Sequence, residues 1–141
     1  MSVNQFVRRG LEEAQHHLTA LLANEKALTA IGEAGTLLAE TFLAGGRVFS
    51  CGNGGSMCDA MHFAEELSGR FRLDRPGLAA SSISDPGHLS CVANDYGYEF
   101  VFSRYLEAHA KSGDCLLAIS TSGKSKNVLR AVEVAKKMGL K

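Results

Sequence analysis

Three short runs of apolar or small residues, separated by helical segments, constrain the fold of this chain most. They are RVFSC at 47–51, LAASSIS at 78–84 and DCLLAIS at 114–120, and each is bounded by turn-forming residues. Continuous runs of this length that alternate with helices are typical of strands buried on both faces of a parallel sheet. The pattern therefore predicts an α/β fold with a doubly wound parallel sheet. In such sheets ligands bind beyond the carboxyl ends of the strands.

Two helical segments precede the first of these runs. Apolar residues recur at helical spacing over residues 3–23 and again over 25–44, and Gly45-Gly46 then stops the second segment. We predict that the segments form an antiparallel helical pair. Such a pair has more apolar surface than one partner covers, so it packs either on the following domain or on another subunit.

Charge and cysteine content limit the classes of function. Fifteen basic residues balance fifteen acidic ones, which argues against a nucleic-acid-binding protein or one that binds an anionic membrane surface.

The polar N-terminus and the lack of a long apolar run predict a soluble, cytoplasmic protein. The four cysteines form no C-x-x-C pair and are predicted to be buried reduced thiols. They are Cys51, Cys58, Cys91 and Cys115.

A glycine-rich loop, CGNGGS at 51–56, directly follows the first predicted strand. It does not fit the dinucleotide pattern, because Met57 stands where the third glycine is required. Two interpretations remain for Gly52, Gly54 and Gly55. They either let the backbone approach a ligand or supply the positive φ that a tight strand-to-helix turn requires. A ligand would also give Asn53 and Ser56 a role.

A serine-rich loop, STSGKS, follows the third predicted strand. It fails the nucleotide P-loop pattern, because the first glycine of that pattern would fall at Ala118. The next helix is predicted to begin near Gly123 or Lys124, with unpaired N–H groups in its first turn. A helix N-terminus together with several hydroxyls favours a monophosphate site, although a simple N-cap at Ser122 is the alternative. The candidate phosphate-binding residues are Ser120, Thr121, Ser122 and Ser125.

The helix predicted after the glycine-rich loop carries polar residues on one side. Spacings of three and four place Asp59, His62, Glu66 and Arg70 together, whereas Glu65 is predicted to point elsewhere. An exposed face of i,i+4 ion pairs is one interpretation. Proton transfer between adjacent carbons of a sugar phosphate by His62 and Glu66 is a second. Coordination of a divalent metal by the same two residues is a third, and the residues alone do not choose among them.

Further polar residues follow the second predicted strand and are expected at the same edge of the sheet. They are His88, Asn94 and Asp95, in DPGHLSCVANDYGY. Asn94 and Asp95 either hydrogen-bond sugar hydroxyls or form a capping or turn pair.

Three stretches together resemble the phosphoheptose isomerases of the sugar isomerase (SIS) domain superfamily. They are CGNGGSMCDAMHFAEELSGR, ISDPGHLSCVANDYG and AISTSGKSKNV. The resemblance covers nearly the whole chain. It implies conversion of sedoheptulose 7-phosphate to D-glycero-D-manno-heptose 7-phosphate, which supplies heptose for the lipopolysaccharide core. It also implies a cytoplasmic homotetramer whose N-terminal helices join a central bundle, and a bound zinc ion.

The same resemblance implies roles for individual residues. Glu66 matches the general base, and His62 and Glu66 match two zinc ligands. Asn53, Gly54, Gly55, Glu66, Asn94, Asp95, Ser120, Thr121, Ser122 and Ser125 match substrate-binding positions. Family members continue past the position of Lys141 with more strands and a helix that completes the metal site. Residues 1–141 are thus expected to be one SIS-like domain that is incomplete at its C-terminus, with a helical pair at 1–45 and a partial α/β core at 46–141.

Two other functions fit the same fold. One is a non-catalytic SIS-domain regulator that binds the bacterial replication initiator, and the other is a sugar-phosphate sensor without turnover. A regulator has no need of an acid–base pair, so the presence of both His62 and Glu66 favours the isomerase.

Overall fold

A computed structural model describes residues 2–141, which divide into two compact units, one ending at Leu37 and the other spanning Leu38–Lys141. The elements in chain order are α1 (Val3–Leu22), α2 (Glu25–Leu43), β1 (Val48–Gly52), α3 (Gly55–Ser68), β2 (Ala80–Ser82), α4 (Pro86–Asp95), a 3₁₀ helix (Tyr98–Phe100), α5 (Val101–His109), β3 (Cys115–Ile119) and α6 (Lys126–Met138). No helix among residues 2–141 combines the length and the apolar character needed to cross a membrane.

The N-terminal unit consists of α1 and most of α2. Ser2 and Gln5 form a capping box at the start of α1, and Asn24 caps α2 by accepting the N–H of Ala27. No side chain of α1 is buried, and the two helices do not pack along each other. Both predicted helices are thus confirmed, but their antiparallel packing is not seen. Ala23 keeps a right-handed helical backbone, and the two-residue connection contains no glycine to reverse the chain.

The larger unit is built on a three-stranded parallel sheet of order β2-β1-β3. Val48 at the start of β1 lies opposite Ala80 of β2 and Cys115 of β3. All three strands coincide with the predicted runs to within two residues. A parallel order with the first strand in the centre confirms the α/β prediction, since each crossover passes through at least one helix.

Helices cover both faces of the central strand, and every residue of β1 is buried. Side chains alternate between the two faces. On one face the Ser50 hydroxyl donates to the carbonyl oxygen of Ala60 in α3 at 2.8 Å. On the other, Phe49 and Cys51 join a core that includes Phe102 of α5 and other residues of α4, α5 and α6. The sheet is therefore doubly wound, as predicted.

A buried carboxylate joins the beginnings of β1 and β3. Asp114 accepts the backbone N–H groups of Lys111 and Arg47, each at 2.9 Å, and forms an ion pair with the Arg47 guanidinium at 3.0 Å. Burial acts to raise the pKa of Asp114, but the two N–H donors and the guanidinium outweigh it and hold the pKa below its usual value. The ionised Asp114 side chain thus links the beginnings of two neighbouring strands.

The cysteines divide into two classes. Cys51 and Cys115 are buried and Cys58 and Cys91 are exposed, all four with free thiols. Burial raises the pKa of Cys51 to about 12. The predicted burial is therefore correct for the two strand cysteines and wrong for the two helical ones, because Cys58 and Cys91 lie on solvent-facing sides of α3 and α4.

Candidate functional site

The glycine-rich loop turns the chain sharply from β1 into α3. A Cβ atom on Gly52 would lie 2.7 Å from backbone atoms of Ser56, and Gly54 has φ of +56°. Only glycine meets either requirement without strain. Gly55 has ordinary φ, and a Cβ there would have no neighbour within 4 Å. The turn alone thus explains Gly52 and Gly54, whereas Gly55 has no such structural reason.

The serine-rich loop folds on its own hydroxyls. Ser120 Oγ accepts the N–H of Gly123 at 3.1 Å, and Ser122 Oγ accepts the N–H of Lys124 at 3.2 Å. Gly123 has φ of +62°. Helix α6 therefore begins at Lys126, with Ser125 at the N-cap, two or three residues later than predicted. The proposed N-cap at Ser122 is wrong.

This loop presents groups that suit an anion. The Ser125 side chain makes no capping hydrogen bond, and its Oγ lies 3.4 Å from that of Ser120. Thr121 and Ser122 are exposed. Hydroxyl donors therefore gather at a helix N-terminus, whose partial positive charge stabilises an anion by about 0.3–1 kcal/mol. The arrangement is suited to a monophosphate ester.

Asn53 and Asn127 link the two loops through a reciprocal pair of amide hydrogen bonds. Asn53 Nδ2 donates to Asn127 Oδ1 at 2.9 Å, and Asn127 Nδ2 donates to Asn53 Oδ1 at 2.8 Å. The Tyr98 hydroxyl also donates to Asn53 Oδ1, at 3.2 Å. The loop after β1 is thereby joined to the helix that follows the loop after β3, which agrees with the expectation that both loops lie at one edge of the sheet.

Sequence reasoning missed Asn127 and Tyr98. The signal for Asn127 was present in the pattern of α6, whose other buried residues, Val128, Ala131 and Ala135, are all apolar. A single amide on such a face requires a partner. Tyr98 carried no comparable signal, because its side chain is exposed and reaches Asn53 only after the turn at Gly97.

A second group of side chains lies on α3. His62 Nε2 is 3.1 Å from Glu66 Oε1 and 3.6 Å from Glu65 Oε1. The prediction that Glu65 points elsewhere is therefore wrong, because i,i+3 neighbours also share a helix face. The His62 and Glu65 side chains are 71% and 67% exposed, whereas Glu66 is 33% exposed. Glu66 lines an open groove of about 400 Å³ with Phe63, Leu67 and Phe71 among its walls.

One face of α3 thus gathers three potential metal ligands. The ligand atoms of His62, Glu65 and Glu66 all lie within 4.8 Å of one another. Imidazole nitrogen and carboxylate oxygen are both zinc ligands. The donor set fits a divalent ion and includes Glu65, which the sequence prediction left out.

The predicted site residues fall into two groups within the described chain. Glu66 lies eleven residues beyond Gly55 on α3, which corresponds to about 16 Å of helix. The hydrogen bonds therefore join the glycine-rich loop to the first turn of α6, directly after the serine-rich loop, and His62 to Glu66. They do not join Glu66 to the serine-rich loop.

The residues after β2 have separate positions. The exposed pair at the end of α4 is held by a 2.8 Å hydrogen bond from Asn94 Nδ2 to Asp95 Oδ1. The nearby Tyr98 brings this segment toward Asn53. His88 instead lies 2.8 Å from the carbonyl oxygen of Val101 and packs edge-on against Tyr105, so it contributes to the packing of α4 on α5.

Comparison with known proteins decides the family. The SIS domain family model matches residues 11–141. A phosphoheptose isomerase of Edwardsiella ictaluri is 58% identical over 135 residues, which are 96% of this chain and 70% of the relative. The chain belongs to the phosphoheptose isomerases. Another phosphoheptose isomerase, from Klebsiella pneumoniae, has the same identity and coverage.

Solved structures of phosphoheptose isomerases share the fold. That of Neisseria gonorrhoeae superimposes with a TM-score of 0.89 at 34% identity, covering 99% of this chain and 72% of the other. That of Francisella tularensis gives 0.90 at 32% identity, covering all of this chain and 73% of the other. The phosphoheptose isomerase fold is thus retained at identities far below 58%.

Proposed function

We propose that this protein isomerises sedoheptulose 7-phosphate to D-glycero-D-manno-heptose 7-phosphate. The observation that carries the proposal is 58% identity, over 96% of the chain, to proteins named phosphoheptose isomerase. A serine-rich helix N-terminus beside a glycine-rich loop supports it, because such a site suits the phosphate ester of a sugar.

We assign the ends of the substrate to different parts of the site. The phosphate binds the serine-rich loop, and the sugar chain extends along the glycine-rich loop toward the pair at the end of α4. The proposed substrate-binding residues are Asn53, Gly54, Gly55, Glu66, Asn94, Asp95, Ser120, Thr121, Ser122 and Ser125. The Tyr98–Asn53–Asn127 hydrogen bonds support this arrangement, since they connect the glycine-rich loop to the start of α6, directly after the serine-rich loop, and to the 3₁₀ helix that follows α4.

Glu66 is proposed as the general base. In the open-chain ketose it takes a proton from C1, which gives an enediol, and a proton is then returned to C2. His62, 3.1 Å from Glu66, orients the carboxylate and takes part in proton transfer. A positioned general base contributes about 10²–10⁴-fold to such a reaction.

A zinc ion is the proposed cofactor. His62 and Glu66 would hold it, with Glu65 within reach, and the observed clustering of their ligand atoms supports this. When bound, zinc supplies Lewis-acid stabilisation of negative charge on a substrate oxygen.

We further propose a cytoplasmic homotetramer that supplies heptose for lipopolysaccharide. Residues 1–141 would form part of a single SIS-like domain, with residues 1–45 entering the subunit interface and residues 46–141 forming the partial α/β core. Exposed apolar residues on α1 support an interface role, since large apolar side chains in water favour association. They include Val3, Phe6, Val7, Leu11, Leu18, Leu21 and Leu22.

Replacing Glu66 by glutamine tests the proposal. The assay follows the conversion of sedoheptulose 7-phosphate by the full chain in D₂O and detects deuterium at C2 of the product by NMR. Wild type should give the aldose with deuterium incorporated, because the enediol collects its proton from solvent. Glu66→Gln should lower kcat at least about a hundredfold while still binding the sugar phosphate.

The control is Glu133→Gln, an exposed carboxylate on α6 away from both groups, which should retain wild-type activity. Equal rates for wild type and Glu66→Gln would contradict the assignment of the base. Binding of the ketose by wild type without any turnover or deuterium exchange would instead indicate a sensor. The absence of both binding and turnover would favour the regulator.

A further inference from the structure

We propose that Asn127 is a positioning residue for the isomerisation, acting through Asn53. By locking the Asn53 amide it holds the glycine-rich loop at a fixed separation from the serine-rich loop. This role rests on the proposed function, because it assigns the two loops to two parts of one sugar phosphate.

The direction of every hydrogen bond in the pair is determined. Asn127 Oδ1 accepts the backbone N–H of Val128 at 3.0 Å, so this end of the amide must be the oxygen. Asn127 Nδ2 then faces Asn53 Oδ1, which also accepts from the Tyr98 hydroxyl. Each oxygen accepts two hydrogen bonds and each amide retains one free N–H. The Asn53 amide therefore cannot rotate without breaking several bonds.

Burial makes the pair strong. Asn127 is 4% exposed, and a hydrogen bond inside a protein is less weakened by competition with water than one at the surface. The two residues are 74 positions apart in the chain. No helix or strand contains both, so the pair fixes loops that the backbone alone leaves independent.

A purely local role would explain only part of this geometry. Asn127 does satisfy the Val128 N–H in the first turn of α6, and a residue needed for that purpose alone requires only an acceptor oxygen. The donor group of Asn127 is directed at Asn53 at 2.8 Å. That bond adds nothing to the helix cap but joins α6 to the glycine-rich loop.

Replacing Asn127 should affect the position of the reacting carbons of the substrate more than the binding of its phosphate. Ser120, Ser122 and Ser125 precede α6, and none of their hydrogen bonds involves Asn127, so they should persist when Asn127 is changed. Displacement of the glycine-rich loop would instead misplace the sugar chain. A misplacement of about 1 Å can cost about a hundredfold in rate, so kcat should fall while phosphate binding persists.

A double-mutant cycle on the full chain tests this role. Asn127→Ala and Asn53→Ala should each lower kcat about tenfold to a hundredfold, with affinity for inorganic phosphate changed by less than about twofold. In the Asn53→Ala background, adding Asn127→Ala should change kcat by less than about twofold, because its partner is already gone. Glu133→Ala, a change at an exposed position of α6, is the control and should match wild type.

A second variant, Asn127→Asp, distinguishes a loss of positioning from a loss of folding. Aspartate keeps an acceptor for Val128 and for Asn53 Nδ2, but it has no donor for Asn53 Oδ1. Asn127→Asp should lower kcat when Asn53 is present, and it should lower kcat much less in the Asn53→Ala background. NMR of the side-chain amides gives a readout that does not depend on turnover, since the Asn53 amide protons should exchange faster in Asn127→Ala, which removes their acceptor, than in Asn127→Asp, which keeps it.

The outcomes separate the two proposals. If wild type isomerises the ketose but Asn127→Ala lowers kcat by the same factor with Asn53 and with Asn53→Ala, the positioning role is wrong and the isomerase assignment stands. A fall in phosphate affinity with unchanged kcat would also overturn it, because that is the signature of a helix cap alone. A wild type without turnover would overturn the proposed function and this role with it.

Discussion

Replacing Asp114 by asparagine should destabilise the α/β unit strongly. Asparagine keeps one acceptor oxygen for the three donors that Asp114 now satisfies, and it removes the charge paired with Arg47. Loss of one hydrogen bond to a charged group costs about 1.5–3 kcal/mol. Breaking a fully buried ion pair costs about 3–5 kcal/mol, which is an upper bound here because the Arg47 side chain is 39% exposed. We expect a loss of about 3 kcal/mol.

Thermal unfolding followed by circular dichroism measures the effect. An unfolding entropy of about 2.1 cal/mol/K per residue gives about 0.2 kcal/mol/K for a unit of roughly one hundred residues. The expected loss therefore corresponds to a fall in Tm of about 14 °C. Asp74→Asn, at an exposed position in the loop before β2, is the matched control and should melt within about 2 °C of wild type.

The pH dependence of the stability difference between wild type and Asp114→Asn provides a second test. The folded pKa of Asp114 lies below its ordinary value of 3.8, so its contribution to stability is complete above that value and is lost as the pH falls through the folded pKa. The difference in Tm between wild type and Asp114→Asn should therefore narrow as the pH falls below 3.8. A gap below about 3 °C at neutral pH, or one that does not change on acidification, would refute the reasoning.

Two further predictions concern the loop and the thiols. Gly52→Ala places a Cβ atom 2.7 Å from the Ser56 backbone and should cost at least about 2 kcal/mol of unfolding free energy in a denaturant titration. Gly55→Ala, which meets no atom within 4 Å, should cost less than about 0.5 kcal/mol, and equal losses would contradict the turn geometry. With a thiol reagent near neutral pH, Cys58 and Cys91 should react in the folded protein, whereas Cys51 and Cys115 should react only after unfolding. Mass spectrometry of labelled peptides checks this, and rapid labelling of Cys51 would contradict its burial.

The sheet was predictable from sequence because each strand is recognisable from its own residues and the same pattern occurs three times. Each strand is a short apolar run followed by a distinctive loop, and a parallel order brings those loops to one edge. The packing of α1 against α2 was not predictable in the same way. An apolar stripe shows that a helix needs a partner but does not identify it, so the same residues fit an antiparallel pair and a helix with no buried side chain.

Site residues were predictable to different degrees for a related reason. Glu66 and His62 are four residues apart on one helix, so helical periodicity alone brings them together. Asn53 belongs to the glycine-rich loop and Asn127 to the first turn of α6. Their meeting depends on the register of β1 against β3, which is not visible in either segment. The orientation of Glu65 was predicted wrongly because helix spacing defines a sector and leaves the rotamers of long side chains open.

The central position of β1 has a consequence for the order in which the protein is made. Val48 leaves the ribosome 67 residues before Cys115, its partner on β3. At about 5–20 residues per second, this strand waits roughly 3–13 s for that neighbour. During this interval the edge of β1 that pairs with β3 has no neighbour, although α3 can already pack on one face of the strand. The hydrogen-bonding groups on that edge are therefore satisfied by the chain itself only after β3 has been made.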